Sequence, residues 1–381
     1  MTNKKDLIKA AIPLPAMMIG AGIFGIPYVF ANAGLAIAGT FFIVLAGLTV
    51  LLNLMYGEVV ERTRDSHRLT GYSEIYYGKK AKDVITLTIS ASVYGALVAY
   101  LILAGEFLGT LFQHVELPSV AWIALFWAVV SLGIIRGIKT VAKIESLLFG
   151  FLLAVFAVIV FPGFAKIDVA NFSYIDLSNF FLPYGVILFS LGGFQAIPEI
   201  HSIIKKDGSK LFRNAIITGV AIAAIVTFIF GVVIVGVSGL NTSETAISGL
   251  EPYLGSAVIY VGALFGLIAV TTSYLMFGVN LKESFMYDWK IRESISGLLV
   301  VVIPLLVILL GARSFITVAG IMGAVWAAVN GTMITLLFVK AKKKGEFVPS
   351  YNLKVPNIVV FAAMVALIAG GIYETIRVVL N

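Results

Sequence analysis

The stretch whose reading decides the fold is "MIGAGIFGIPYVF", Met18 to Phe30. It lies inside an apolar run from Leu7 to Gly34, long enough to cross a bilayer, for which about 20 predominantly apolar residues suffice. Yet Gly20, Gly22, Gly25 and Pro27 crowd into its middle. A helix in lipid must satisfy its own backbone, because hydrocarbon offers no hydrogen bonds. Breakers at mid-depth are tolerated only where the opened backbone lines protein or an aqueous cavity.

Composition sets the class around this run. The 381 residues are 60% hydrophobic and 12% charged, where a soluble domain carries about 25% charged residues. So much apolar surface cannot be buried in one water-soluble core, and the chain reads as a polytopic membrane protein. With no cysteine, disulfides and thiolate metal sites are excluded. The net charge of +7 does not point to nucleic acid, because the basic residues sit in short loops between apolar segments. The first run has no small-x-small cleavage site after a short apolar core, and so reads as a retained helix rather than a signal peptide.

The hydropathy pattern predicts eleven spans, at 7–35, 37–57, 84–113, 119–135, 146–165, 180–204, 212–238, 254–281, 297–312, 314–338 and 357–379. Spans 9 and 10 are divided only by the turn Gly311 to Ser314. With the N-terminus cytoplasmic, 24 of the 27 Lys and Arg fall on the inside; Lys166, Arg313 and Arg377 fall outside. That asymmetry is the positive-inside signature, and it predicts an external C-terminus. No separate soluble domain is visible. The polar stretches Glu58 to Asp83 and Val339 to Lys354 read as cytoplasmic loops.

A second stretch echoes the first. "GIFGIP", Gly22 to Pro27, and "GFQAIP", Gly193 to Pro198, each place Gly five residues before Pro inside an apolar span. The same offset carries span 3 close to span 8 and span 5 close to span 10. The chain therefore reads as two five-span units, about 7–165 and 180–338, with 357–379 appended. An odd number of spans per unit inverts one copy, the pattern of secondary transporters. Freed N–H groups at a half-helix N-terminus suit a carboxylate, and freed carbonyls suit an ammonium or a small cation. An amino-acid zwitterion needs both.

"GAGIFGIPYVFANAG" (20–34) resembles the first helix of the amino acid/auxin permease family and its aromatic amino acid permease relatives, within the amino acid–polyamine–organocation superfamily. "YLILAGEFLG" (100–109), "LFSLGGFQAIPEI" (188–200), "KLFRNAIITG" (210–219) and "TTSYL" (271–275) extend the similarity. The resemblance implies a LeuT fold: an all-α membrane protein importing a neutral amino acid, aromatic ones included, by alternating access. It implies that N–H groups of Gly20, Ala21, Gly22 and Ile23 hold the substrate carboxylate. Carbonyls near Met18, Phe189 and Ser190 would accept from the ammonium. Tyr100 would meet the substrate and Phe194 would close over it, while Gly192 and Gly193 leave room for a bulky side chain.

The resemblance also implies a sodium site of oxygen ligands, from Ala16 and Ile19 on span 1 and Ala269, Thr272 and Ser273 on span 8. Hydroxyls in membrane helices also bond back to their own carbonyls, so these residues leave both readings open. Proton coupling is the rival, with Glu106 and Glu199 as the acidic candidates and Glu199 also placed for an inner gate. The uncharged span "SLLFGFLLAVFAVIVF" (146–161) lacks the lysine that replaces sodium in some relatives, which favours sodium. Exchange rather than symport, a channel, or a transporter-like sensor are the remaining alternatives. No HExxH, Gly-x-Ser-x-Gly or P-loop is present, so an enzyme is not expected. No cofactor or obligate protein partner is expected either. The expected partners are an amino acid, a coupling cation and the lipid of a plasma membrane.

Overall fold

The computed structural model describes residues 4–136, 141–204, 210–287 and 289–380, less the side chains of 4, 5, 141–149, 151, 152, 210, 287 and 379. Lys139, Lys205 and Lys206, three of the basic residues counted above, lie outside the described residues. The described chain is all helical. In order it forms α1 (Lys4–Ala11), α2 (Pro13–Met18), α3 (Gly25–Ala33), α4 (Leu35–Arg62), α5 (Leu69–Tyr77), α6 (Lys79–Leu111), α7 (Ser119–Arg136) and α8 (Val141–Phe164). There follow α9 (Leu182–Ser190), α10 (Ile197–Ile204), α11 (Lys210–Ser238), α12 (Glu251–Leu254), α13 (Ser256–Tyr287), α14 (Glu293–Leu309), α15 (Phe315–Trp326), α16 (Thr332–Lys344) and α17 (Asn357–Leu380).

Among the described residues, eight helices are long and apolar enough to cross a membrane. A ninth span forms if the pair Asp6–Met18 and Ala21–Ala33, bent by 60°, is counted as one, and Leu153–Phe164 and Glu293–Leu309 are shorter apolar helices. Their outer faces carry exposed apolar side chains, such as Ile43, Val129, Phe161 and Ile358. A continuous apolar surface of this kind belongs in lipid.

The first predicted span is not one helix. Pro13 opens α2 after Ile12, where a proline lacks only a donor that has no partner anyway. The chain breaks again at Ile19 and Gly20, makes a 3₁₀ turn over Ala21–Phe24, and resumes as α3. The sixth span breaks in the same way: α9 stops at Ser190, a 3₁₀ turn covers Phe194–Ala196, and α10 follows. Two features differ from the sequence reading. The polar stretch Glu58 to Asp83 contains α5, whose Leu69, Tyr72 and Tyr76 are buried. The tenth span is interrupted by a π-helical segment, Ala327–Gly331.

Helix α6 packs most extensively against α13, and α15 against α9. The α9–α15 approach is backbone on backbone: a Cβ at Gly185 would overlap the Gly320 carbonyl, and one at Gly323 the Gly185 carbonyl. Small residues of this kind let membrane helices touch without a hydrophobic drive.

Buried charges sit at the helix ends and are paired. Glu58, fully buried, binds Arg62 at 2.8 Å and accepts the Leu353 N–H at 2.8 Å. The segment after α16 is thereby strapped across the end of α4, with the Tyr351 hydroxyl donating to the Leu54 carbonyl at 2.6 Å. Burial pushes the Tyr351 phenol well above its ordinary range.

Candidate functional site

The two breaks lie against each other. A Cβ built on Gly22 would stand 2.6 Å from the Ser190 Cα, so the opened backbones of the first and sixth spans touch at van der Waals distance. Beside this contact lies a cavity of about 490 Å³. Its walls are the α2–α3 break, the α9–α10 break, one face of α6, one face of α13, and Met322, Gly323 and Trp326 of α15.

Most of the predicted residues meet here. Ala16, Met18, Ile19, Gly20, Ala21, Gly22, Tyr100, Phe189, Gly192, Phe194, Glu199, Ala269, Thr272 and Ser273 all line the one cavity. Ile23, Ser190, Gly193 and Glu106 do not. The Ile23 N–H, expected on the carboxylate, is donated to the Gly20 carbonyl at 3.3 Å. Gly193 packs against Met18, where a Cβ would stand 2.7 Å from the Met18 Cγ, instead of opening space. Ile23 is turned into the core, 4% exposed, and Ser190, 1% exposed, lies behind the Gly22 contact. The carbonyl of Met18 already accepts the Gly20 N–H at 2.9 Å, and that of Phe189 accepts the Gly192 N–H at 3.4 Å. The Phe189 carbonyl also accepts the Leu191 N–H, so of the two only the Met18 carbonyl keeps a lone pair for a ligand. The Gly20 N–H, expected on the carboxylate, is committed to Met18.

The Phe194 ring stacks on Trp326, with centroids 5.0 Å apart, and meets the edge of Tyr56 at 5.7 Å. It is one member of an aromatic wall rather than a lone flap. Tyr100 stands across the cavity with its ring 6.0 Å from Phe277. Trp326 and Met322 were not foreseen. Their span was legible, but nothing in its hydropathy marks which face turns inward.

On α13 the Thr272 hydroxyl bonds back to the carbonyls of Ile268 (3.2 Å) and Ala269 (3.0 Å). The five oxygen-bearing positions proposed from the sequence share the cavity wall, and the Ala269 carbonyl is engaged by its own helix. Among the described residues no cluster of three or more His, Asp or Glu is placed to hold a metal ion.

The cavity has a closed end and an open one. Phe24 packs edge-on against Phe107 at 5.2 Å and against Phe230 at 6.3 Å. Such contacts are worth about 0.5–1.5 kcal/mol each beyond their burial. Glu106 lies past this plug, facing Thr245 and Glu244, and so is separated from the cavity. In the other direction the lining runs down α6 through Ser90 and Thr86, and along α13 through Asn280 and Ser284. It ends at a mouth where Arg68 and Glu199 both line the wall, both exposed.

A backbone-lined, part-aromatic chamber at the meeting of two broken helices, sealed at one end, defines a carrier for a small solute. The fold is that of a solved carrier: the structure of MhsT in complex with L-phenylalanine superposes with a TM-score of 0.64, covering 100% of this chain and 98% of that one at 17% identity. The chain belongs to the tryptophan/tyrosine permease family, whose pattern it matches over residues 3–374. Its relatives include a tyrosine-specific transport system of Haemophilus influenzae, 25% identical over 87% of both chains. A glutamine transporter of Aliivibrio fischeri is 22% identical over 84% of this chain and 85% of its own. The amino acid transporter AVT1H of Arabidopsis thaliana is 23% identical over 59% and 54%. These are transporters, not enzymes, and the chain is an amino acid transporter.

Proposed function

We propose that the chain imports a neutral amino acid, aromatic ones included, by alternating access driven by an ion gradient, with sodium as the coupling ion. The observation that carries this is the single cavity shared by both helix breaks, α6 and α13. The N–H groups of Ala21 and Gly22 would take the substrate carboxylate, that of Gly20 being donated to the Met18 carbonyl. The carbonyl of Met18 would take the ammonium. Tyr100, Met322, Phe194 and Trp326 would surround the side chain. The aromatic lining favours a large apolar side chain, and the tyrosine-specific relative accords with it.

The architecture we propose has eleven spans. They are the eight long helices, the bent pair, and the two shorter apolar helices. The first ten form the inverted repeat of 7–165 and 180–338, followed by 357–379, in a plasma membrane. With the N-terminus in the cytoplasm, the orientation that the basic asymmetry of the loops supports, the chain's inner face is the one that carries those loops. The mouth at Arg68 and Glu199 then faces inward, and the Phe24–Phe107–Phe230 plug is the closed outer gate. Arg68 and Glu199, opposite charges on opposite lips of the mouth, would pair when that mouth shuts.

The test is uptake of a labelled amino-acid mixture into proteoliposomes under a sodium gradient, a proton gradient, or neither. Accumulation under sodium alone, lost in Thr272→Ala, supports the reading. Accumulation driven by protons retains transport but removes the sodium site; the back-bonded Thr272 hydroxyl is the observation that favours this second reading. No accumulation of any amino acid by folded protein would overturn the substrate class.

A further inference from the structure

A second cavity, about 460 Å³, lies at the other end of the bundle from the mouth. Tyr28 and Asn32 of α3, Asn179 and Leu182 at the start of α9, Ser314, Ile316 and Thr317 at the start of α15, and Arg377 and Val378 near the end of α17 line it. Glu244, from the segment between α11 and α13, completes the wall. In the proposed topology this is the outer face, and nothing in the transport cycle derived above uses the cavity.

Its two full charges are opposite in sign, and each is fixed by its own anchor. The Glu244 carboxylate accepts from the Ser314 hydroxyl at 3.0 and 3.1 Å and from the Ile316 N–H at 3.2 Å. Arg377 donates twice to Glu374, at 3.0 and 2.7 Å, and Glu374 is fully buried. Among the described residues no ion pair joins Arg377 to Glu244. A carboxylate offers about four lone-pair sites and a guanidinium five N–H donors, so each retains capacity beyond its anchor.

The amide side of the wall is also held in place. Asn32 donates to the Tyr28 carbonyl at 2.9 Å and Asn179 to Asp176 at 3.0 Å. Hydrogen bonds from Ser178 and Asn179 hold the Asp176 carboxyl below the usual carboxylate range. Leu182, Ile316 and Val378 add an apolar patch. A cavity with an anchored carboxylate, the remaining N–H donors of a guanidinium held by Glu374 and an apolar patch complements an ammonium, a carboxylate and a short side chain on one small molecule.

We propose that this chamber is a second, external binding site for a free α-amino acid, with Glu244 meeting the ammonium and Arg377 the carboxylate. The proposal rests on the reading that the central cavity holds one amino acid. The segment that carries Glu244 is already tied to the start of α15 through Ser314 and Ile316; an occupant would join it to α17 as well.

The test is saturation binding of radiolabelled L-tyrosine, L-phenylalanine and L-glutamine, each alone, to the full chain in lipid nanodiscs. The expected stoichiometry is two molecules per chain for the wild type with at least one of the three. It should be one for Glu244→Gln, which keeps an acceptor for Ser314 but loses the charge. It should also be one for Val378→Trp, which fills the chamber and removes no anchor. A wild-type stoichiometry of one that both variants leave intact overturns the external site and keeps the central one. A single site abolished by both variants keeps the external site and overturns the central reading. Two sites unchanged in both variants, or none in the wild type, overturn the proposal.

Discussion

Gly20 and Gly22 stand two residues apart in the first break, and the structure gives them opposite tolerances. A methyl at Gly22 would meet the Ser190 Cα at 2.6 Å, its Cβ at 3.1 Å and its N at 3.2 Å. The first of these is backbone, roughly 0.8 Å short of the 3.4 Å where ordinary contact begins, so no rotamer change relieves it. The two breaks must separate. Overpacking of this kind costs about 1–3 kcal/mol. If that strain falls on the bound geometry, affinity drops by about 5- to 150-fold at 1.4 kcal/mol per decade. At Gly20 an added methyl meets nothing nearer than the Met17 carbonyl at 3.9 Å, and its φ of −116° suits any residue. Gly20→Ala should therefore retain affinity within a few fold, while Gly22→Ala loses it and melts at lower temperature. Equilibrium binding of the transported amino acid and thermal unfolding of the same detergent-solubilised samples read both quantities. Wild-type affinity in Gly22→Ala, or equal losses in the two variants, would refute the claim that the touching breaks set the site.

Other outcomes follow from the same geometry. Thr272→Ala removes one hydroxyl from the α13 wall and should raise the sodium concentration for half-maximal uptake at least tenfold; an unchanged sodium dependence sinks the ion site. The chain contains no cysteine, so Arg68→Cys combined with Glu199→Cys gives a background-free probe of the mouth. Oxidation should form a cross-link and stop uptake reversibly, whereas full activity in the cross-linked protein would show that these lips do not close. Glu58→Ala should destabilise by about 3–5 kcal/mol, because Arg62 loses its buried partner and the Leu353 N–H its acceptor; a melting temperature equal to wild type would contradict the strap. Trp326→Ala strips the face on which Phe194 stacks and should weaken aromatic substrates more than small ones in competition uptake.

Much of this architecture was legible because its cause is chemical and local. Gly and Pro inside an apolar run admit few explanations, and both breaks fall where "GIFGIP" and "GFQAIP" placed them. The particular positions Gly20, Ala21 and Gly22 came from the family resemblance of that stretch. The missed features depend on relations between helices. Whether Ser190 lines the cavity or lies behind it depends on how closely Gly22 approaches, which no pattern along the chain encodes. Glu106 is intramembrane by hydropathy, but its separation from the cavity arises from Phe107, the next residue, meeting Phe24. The π segment at Ala327–Gly331 is a shift in hydrogen-bond register within an apolar helix, invisible to hydropathy. Helix α5 was readable in principle: Leu69, Tyr72 and Tyr76 recur at helical spacing, but tyrosine counts weakly on an apolar scale.

The aromatic plug has an electrical consequence. Phe24, Phe107 and Phe230 present only hydrocarbon, whereas the cavity below them is wide and open at its mouth. Water and salt filling that cavity would bring the potential of one bath up to the floor of the plug, so that the transmembrane voltage would drop chiefly across the thickness of a few rings. A cation reaching the floor from the far bath has crossed most of the field. It gains close to the full 2.3 kcal/mol per charge per 100 mV. Under the proposed ion coupling the rings would act as a thin capacitor, and the voltage across the membrane would drive loading even when the ion concentrations on the two sides are equal.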